Sequence, residues 1–298
     1  MVDIITNDES YHSKKIDKLT FRNLEETDIP FGMELKNIAK WNQIEADWKR
    51  FLLYEPQGCF VALYEGEPAG TVTTINYEKK FGWIGMVLVH PRNRRIGIGT
   101  ALLHKAIDYL KRIGVETIKL DATPEGKNVY KPLGFLEEFD LKRRQGIGIT
   151  TNCDEFSTIN DEDLQDIIRF DTNVFGADRG IVIENLVQDN PDKSFMERNY
   201  KGQIKGYITA RMGLNAYQIG PWISESASLA EELFVLMLDK LVGEKIFLDV
   251  PCANEKCTEI IERYGFTIQR GFTRMFLGSN NYSGTPSYVY ATSGAEKG

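Results

Sequence analysis

Between Trp83 and Phe135 the chain reads WIGMVLV, then HPRNRRIGIGT, then a charged and apolar mixture, then ETIKLDA and NVYKPLGF. The first run is apolar almost without a break, as a strand covered on both faces must be. Beyond the Gly/Arg-rich turn, Leu103, Ala106, Ile107 and Leu110 recur at helical spacing, with His104, Lys105, Asp108 and Lys111 off that face. Gly114 marks a stop, and Ile118, Leu120 and Ala122 then alternate with Thr117, Lys119 and Asp121 in the manner of a second strand. The unit is strand, loop, helix, strand. It commits this part of the chain to an α/β layer with a loop delivered to a helix N-terminus.

Such a loop is suited to an anion, because the first N–H groups of a helix have no intrahelical partner and sit at the positive end of its dipole. The spacing is Arg94-x-x-Gly97-x-Gly99 followed by Thr100, with Arg92 and Arg95 nearby. Glycines let the backbone approach phosphate oxygens, and the guanidinium groups add charge and forked donors. The chain has neither the six-residue glycine pattern of a dinucleotide site nor a Gly-Lys-Ser/Thr for a triphosphate at this position. A pyrophosphate of another carrier is the better expectation.

These residues resemble the central motif of the GNAT superfamily of acyl-CoA-dependent N-acyltransferases, Arg/Gln-x-x-Gly-x-Gly/Ala. The family's second marker, a Tyr four residues before a Gly-Phe pair, is met by Tyr130 ahead of Gly134 and Phe135. The resemblance runs over residues 18 to 145 and implies acetyl-CoA as cosubstrate with no metal. It implies that backbone groups of Val87, Leu88 and Val89 line the pantetheine and acyl carbonyl. Arg94, Arg95, Ile96, Gly97, Ile98, Gly99 and Thr100 would then hold the pyrophosphate, with Asn128 as a further contact. The strands splay in this family, and Gly85 is the expected site of the distortion. Tyr130 would protonate the departing thiolate, a task suited to a phenol with an ordinary pKa near 10. The segment from Asp121 to Tyr130 is about a helical turn shorter than in many members.

The proton of the incoming ammonium needs an acceptor. Asp121, on the strand after the helix, is the candidate within the core motif, and Glu45 and Asp47 lie in WNQIEADW, where the family places acceptor-binding helices. Trp41, Ile44 and Trp48 there have helical spacing, which serves equally an ordinary amphipathic helix with its carboxylates in solvent. The candidate acceptor contacts are Trp41, Asp47, Trp83 and Asp178. The last belongs to FDTNVFGADRG, where Asp171, Phe175 and Asp178 share a face if the helix continues. A helix ending at Gly176 with Arg179 paired to a carboxylate is the alternative.

The second half can be read as a repeat of the first, the alternative being an unrelated α/β domain. KIFLDVP (245–251) parallels TIKLDAT (117–123), and IERYGF, ending at Phe266, parallels YKPLGF, ending at Phe135. Where Tyr130 stands, the same offset places Ile261, and GPWISESAS with Glu225 replaces the Arg/Gly loop, so this copy is expected to keep the scaffold without the phosphate site. The organisation expected is an extension over 1–17, a catalytic domain over 18–146 and a degenerate copy over 147–298 forming a wall of the acceptor site. The fold class is α/β with mixed sheets in tandem GNAT-like domains.

A net charge of −7 argues against nonspecific nucleic-acid binding. No run reaches membrane-spanning length and the first residues lack an apolar core segment, so a cytoplasmic protein without a membrane partner is expected. Cys59, Cys153, Cys252 and Cys257 lack metal-ligand spacing and read as reduced structural thiols. The activity expected is direct acetyl transfer, in a ternary complex, to the primary amine of a small molecule. The alternatives are a protein or peptide N-acetyltransferase and a noncatalytic acyl-CoA-binding module. Composition leaves the oligomeric state open.

Overall fold

The computed structural model describes residues 18–153 and 155–298. The expected extension over 1–17 lies outside them. The strands are β1 (Leu19–Asn23), β2 (Phe60–Tyr64), β3 (Glu67–Tyr77), β4 (Phe81–Val89), β5 (Thr117–Ala122), β6 (Leu136–Ile147), β7 (Ser157–Thr158), β8 (Ser194–Arg198), β9 (Ile204–Arg211), β10 (Tyr217–Ser224), β11 (Lys245–Pro251), β12 (Thr267–Gly278) and β13 (Val289–Ala291). The α-helices are α1 (Ile29–Ile38), α2 (Glu45–Tyr54), α3 (Ile98–Arg112), α4 (Pro124–Tyr130), α5 (Leu164–Phe175), α6 (Gly180–Asp189), α7 (Ala227–Lys240) and α8 (Glu255–Arg263). Two compact units divide them: the described residues through Asn76 with Ile84–Val115, and Tyr77–Trp83 with Glu116–Gly298.

In the first unit, β1, β2 and β3 pair antiparallel, and β3 neighbours β4. Leu103, Ala106, Ile107 and Leu110 of α3 are buried as their spacing predicts, and Leu102 is buried with them. α2 packs on α1 through Trp48, whose ring would lie 2.8 Å from a Cβ at Gly32. That close approach explains why glycine sits in the middle of α1 despite its cost to a helix.

The second unit is built around an exchange of strands. Its order runs β4, β5, β12, β6, β11, β10, in which β4–β5 and β11–β10 are parallel and the three pairings between them antiparallel. The long strand after the first Gly-Phe thus pairs with β11, and the long strand after the second pairs with β5. The arrangement reads the same from either side. Arg274 faces Asp121 across β12–β5, and Arg143 faces Asp249 across β6–β11. Arg143 and Arg274 each follow their own Gly-Phe at the same offset, from Phe135 and Phe266. β5, α4 and β6 therefore lie in the same compact unit as the repeat's second copy, and the compact units do not follow the boundary at residue 146.

Both parallel ladders are short. β4–β5 runs from Phe81–Thr117 to Trp83–Lys119, and β10–β11 from Tyr217–Ile246 to Ile219–Leu248. Beyond Ile219, β10 turns to β13, with Trp222 opposite Ala291 and Ile223 opposite Val289, while Thr292 N donates to Asp249 O at 3.0 Å. Tyr290 of β13 joins Trp222 and Phe234 in the apolar core between this part of the sheet and α7. The expected alternation of β5 holds, with Ile118, Leu120 and Ala122 buried.

Candidate active site

The phosphate-binding loop expected from the sequence forms the start of α3. Gly97 is the N-cap at φ 89, no side chain caps the helix there, and no protein atom lies within 4 Å of a Cβ built on Gly97. Arg95 also adopts a left-handed φ of 63. These two reversals turn the chain sharply from β4 into the helix, so the amides of Ile98, Gly99 and Thr100 begin a helix end without a side-chain acceptor. Gly99 has an ordinary neighbour, Val89 Cγ2, at 3.6 Å from a built Cβ. Arg92, Arg94 and Arg95 are exposed. Arg94 Nε donates to Val89 O at 3.0 Å, tying the loop back to the strand that carries Val87, Leu88 and Val89.

His90, which the sequence reading passed over, organises the entry. Its Nδ1 accepts from Arg92 N and Arg92 Nε, each at 3.3 Å, and its Nε2 lies 3.3 Å from Glu34 Oε1. The strand distortion expected at Gly85 falls instead on Met86, at φ 48, where Thr71 Oγ1 donates to the Met86 carbonyl at 3.0 Å. A side-chain hydroxyl holds the carbonyl of the irregular residue, so a glycine is not required.

Around α2 the carboxylates have local work. Asp47 is buried, its Oδ2 accepts from Ile44 N at 2.9 Å and its Oδ1 from Arg50 Nη1 at 3.1 Å. Expected as an attractor for the acceptor amine, it also anchors the start of α2. Glu45 is exposed and pairs with Lys49 at 2.8 Å. Trp41 is half-buried, and Trp48 belongs to the core.

In the second unit, Thr123 caps α4 through its Oγ1, which accepts from Gly126 N at 3.2 Å, and Tyr130 closes that helix. The phenol ring is half-buried against Phe135, with centroids 5.9 Å apart, and among the described residues its hydroxyl has no hydrogen-bond partner. Burial pushes its pKa up to about 12. Asn128 stands exposed on the same helix.

Asp121 does not have the freedom of a general base. Its two oxygens accept from Arg274 Nε and Nη2 at 2.9 and 3.0 Å, and its side chain is 1 % exposed. Burial raises its pKa against the opposing pull of Arg274. The same bidentate pair recurs in the copy as Arg143–Asp249, both bonds 2.7 Å, where no phosphate loop exists. A feature retained in both copies at the strand exchange is a clamp on the exchanged strands, so Asp121, expected as the base, sits in a structural ion pair.

A cleft in the second unit encloses about 470 Å³ counting its open mouth; Phe81, Trp83, Lys119, Glu138, Phe139, Phe175, Arg179 and Arg274 are among its lining residues. Trp83, expected on the acceptor side, is thus brought beside residues that no local pattern pointed to. Arg274 stacks 4.6 Å from the Trp83 ring and 5.1 Å from Phe139, and the indole Nε1 donates to Ala295 O at 3.1 Å. Lys119 Nζ donates to Glu138 Oε1 at 3.1 Å and Tyr282 O at 3.2 Å; burial lowers its pKa, opposed by Glu138.

The segment FDTNVFGADRG ends its helix at Gly176, φ 99. Arg179 pairs bidentately with Asp171 at 2.7 and 2.8 Å, and Tyr207 donates to the same carboxylate at 2.5 Å. Phe175 packs on Tyr77 and Phe81, each at 5.1 Å. Asp178, expected as an acceptor contact, is exposed and accepts from Gly180 N at 2.6 Å at the start of α6.

The cysteines are all free thiols, with Cys59 and Cys257 buried. Among the described residues no group of His, Cys, Asp and Glu is arranged to hold a metal, and no helix is long and apolar enough to cross a membrane.

Comparison with known proteins agrees with this geometry. The Acetyltransferase (GNAT) family model matches residues 21–135, and an Acetyltransferase (GNAT) domain model matches 167–291. The holothin acyltransferase of Pseudoalteromonas sp. (strain SANK 73390) is 24% identical over 242 residues, covering 80% of this chain and 81% of that protein. An uncharacterized N-acetyltransferase of Methanocaldococcus jannaschii is 32% identical over 142 residues, covering 41% of this chain and 63% of that protein. The crystal structure of a putative acetyltransferase from Pyrococcus horikoshii superposes with a TM-score of 0.82 at 22% identity, over 94% of this chain and 96% of that one. A tandem GNAT protein from the clavulanic acid biosynthesis pathway gives 0.60 at 14% identity, over 87% and 98%. The structural likenesses establish the fold; the matched GNAT family in general takes an acyl-CoA cosubstrate. Two matched domains and an uncapped Gly/Arg loop in the first together identify the chain as a two-domain acetyltransferase of the GNAT superfamily.

Proposed function

We propose that the chain transfers an acetyl group from acetyl-CoA directly to the primary amine of a small molecule, with residues 18–146 as the catalytic domain and 147–298 as a degenerate copy that walls the acceptor site. The observation that carries this reading is the difference between the two equivalent helix starts. α3 begins at a left-handed glycine without a side-chain cap, whereas Ser226 caps α7 by accepting from Leu229 N at 3.3 Å, and Glu225 there pairs with Lys205 at 2.7 Å. In the copy β13 also follows β10 beyond the short parallel ladder, filling with protein the place where diverging strands would admit a pantetheine arm. The first loop fits a pyrophosphate on its own features: open space over Gly97, three exposed arginines and a free helix end.

A bound thioester supplies an already activated acyl group, so the protein's tasks are position, charge stabilisation and proton transfer. Backbone groups of Val87 to Val89 would align the acyl carbonyl, with Arg94 to Thr100 holding the pyrophosphate. Tyr130 would donate the proton taken by the leaving sulfur; its raised pKa keeps that proton in place at neutral pH. A small acceptor is favoured by one relative being named for acylation of holothin. The test is a thiol-release screen with acetyl-CoA against amino acids, polyamines, amino sugars and peptides. Turnover confined to peptides would replace the small-molecule reading, and the absence of acetyl-CoA binding by calorimetry would end the proposed reaction.

A further inference from the structure

We propose that Thr71 is a positioning residue for the transfer reaction: its hydroxyl holds the Met86 carbonyl and so keeps β4 in the distorted form that turns the backbone of Val87–Val89 toward the acyl carbonyl. This deepens the proposed reaction and rests on its assignment of those three residues.

The argument begins with a strand that departs from its ladder. β4 is apolar and buried over most of its length, yet Met86 within it has a φ of 48, a left-handed conformation that a residue with a long side chain rarely adopts. Such a residue interrupts the alternation of a strand and re-aims the groups that follow it. It persists only where its surroundings hold it.

The neighbour that holds it is β3, in the same compact unit. Thr71 Oγ1 donates to the Met86 carbonyl oxygen at 3.0 Å, and both residues are buried, so the carbonyl depends on this bond rather than on solvent. One position earlier, Gly70 faces α3: a Cβ there would meet Leu102 Cδ1 at 3.0 Å and the Leu88 carbonyl oxygen at 2.6 Å. Side chains alternate along a strand, so Thr71 reaches Met86 from the opposite face. β3 thus meets two β4 carbonyls on its two faces, whereas a regular ladder takes both in its plane. Val87 lies between them. Gly70 supplies only room; the Thr71 hydroxyl supplies a bond, and its removal releases the Met86 carbonyl. Backbone donors stabilise charge on an acyl oxygen only when they are held in place, so fixing this turn bears on rate more than on affinity.

The test uses the whole protein with acetyl-CoA isotopically labelled at the acetyl carbonyl carbon. Infrared difference spectroscopy reads the carbonyl stretch, calorimetry the affinity and a melting curve the stability. Binding to the wild type is expected to lower the stretch relative to free acetyl-CoA. Thr71→Val, which keeps the shape and removes the donor, should lose at least about half of that shift and about tenfold in kcat, with acetyl-CoA affinity kept within about threefold. Thr71→Ser keeps a hydroxyl and should retain the shift and the turnover. Thr71→Cys, whose thiol is a weaker donor, should fall between them and takes the place of the valine variant if that one does not fold. A shift left whole in a folded valine or cysteine variant, or lost equally with serine, overturns the role of Thr71 even where the melting temperature falls, since a hydroxyl of purely structural value alters stability alone. Acetyl-CoA bound by the wild type without any shift also overturns it. No binding of acetyl-CoA by the wild type removes the proposed reaction itself and this role with it, so the two failures are told apart.

Discussion

Tyr130 and Asp121 show how differently two candidate residues are supported by their surroundings. Tyr130 has a hydroxyl without a partner among the described residues and a pKa pushed up to about 12 by burial. A group whose pKa is raised stays protonated until the pH rises through that value, so loss of activity by its ionisation is not expected below about pH 10. Tyr130→Phe keeps the ring against Phe135 and removes the donor. Turnover should fall roughly 10²-fold while acetyl-CoA affinity barely changes, read from single-turnover kinetics and calorimetry. Wild-type turnover in that variant would rule out the acid role. Asp121 is instead half of a buried ion pair. Asp121→Asn leaves Arg274 without its counter-charge and should cost about 3–5 kcal/mol in chemical denaturation, the usual penalty for breaking such a pair. In the fraction that folds, the pH profile of turnover should keep its shape, which it would not if Asp121 took the acceptor's proton.

The element that carries most of the chemistry is the β4–α3 loop. Its glycines are not equivalent: Gly97 needs a left-handed φ of 89, whereas Gly99 has room for a methyl group beside Val89 Cγ2 at 3.6 Å. Gly97→Val should therefore strain the turn by about 1–2 kcal/mol and abolish acetyl-CoA binding. Gly99→Ala should leave the melting temperature unchanged, so that any fall in affinity measures how closely the phosphate approaches the backbone. The matching element of the copy, between β10 and α7, is closed by Ser226 and gains nothing from such changes.

For the whole molecule, one acetyl-CoA per chain is expected by calorimetry, because one loop is open and its counterpart is capped. Two equivalent sites would contradict the degeneracy of the second half. The strand exchange also bears on dissection. A fragment ending near residue 146 loses β12, the antiparallel neighbour of β5 from Thr273–Ala122 to Gly278–Thr117, and with it the Arg274–Asp121 clamp. Such a fragment is expected to aggregate through the bared strand edges and not to bind CoA, and co-expression with 147–298 should restore a soluble, CoA-binding assembly. A monomeric, cooperatively unfolding fragment that binds CoA would show the exchange to be dispensable.

Local chemistry settled what the sequence alone could settle. The apolar run of β4, the 3.6 periodicity of α3, the alternation of β5 and the Arg94-x-x-Gly97-x-Gly99 spacing are each written in consecutive residues, because strands, helices and turns are stabilised by near neighbours. The repeat was legible for the same reason, down to Ile261 in place of Tyr130. Which strand pairs with which was not. Arg274 meets Asp121 across 153 positions and Asn280 reaches Glu138 across 142, and no period links such residues. Asp47 and Asp178 looked like site carboxylates because sequence shows a charge without its partner; the fold turned both into helix anchors. The bond from Thr71 to the Met86 carbonyl likewise depends on how β3 and β4 lie beside each other, and only tertiary structure brings a hydroxyl to a carbonyl 15 positions away.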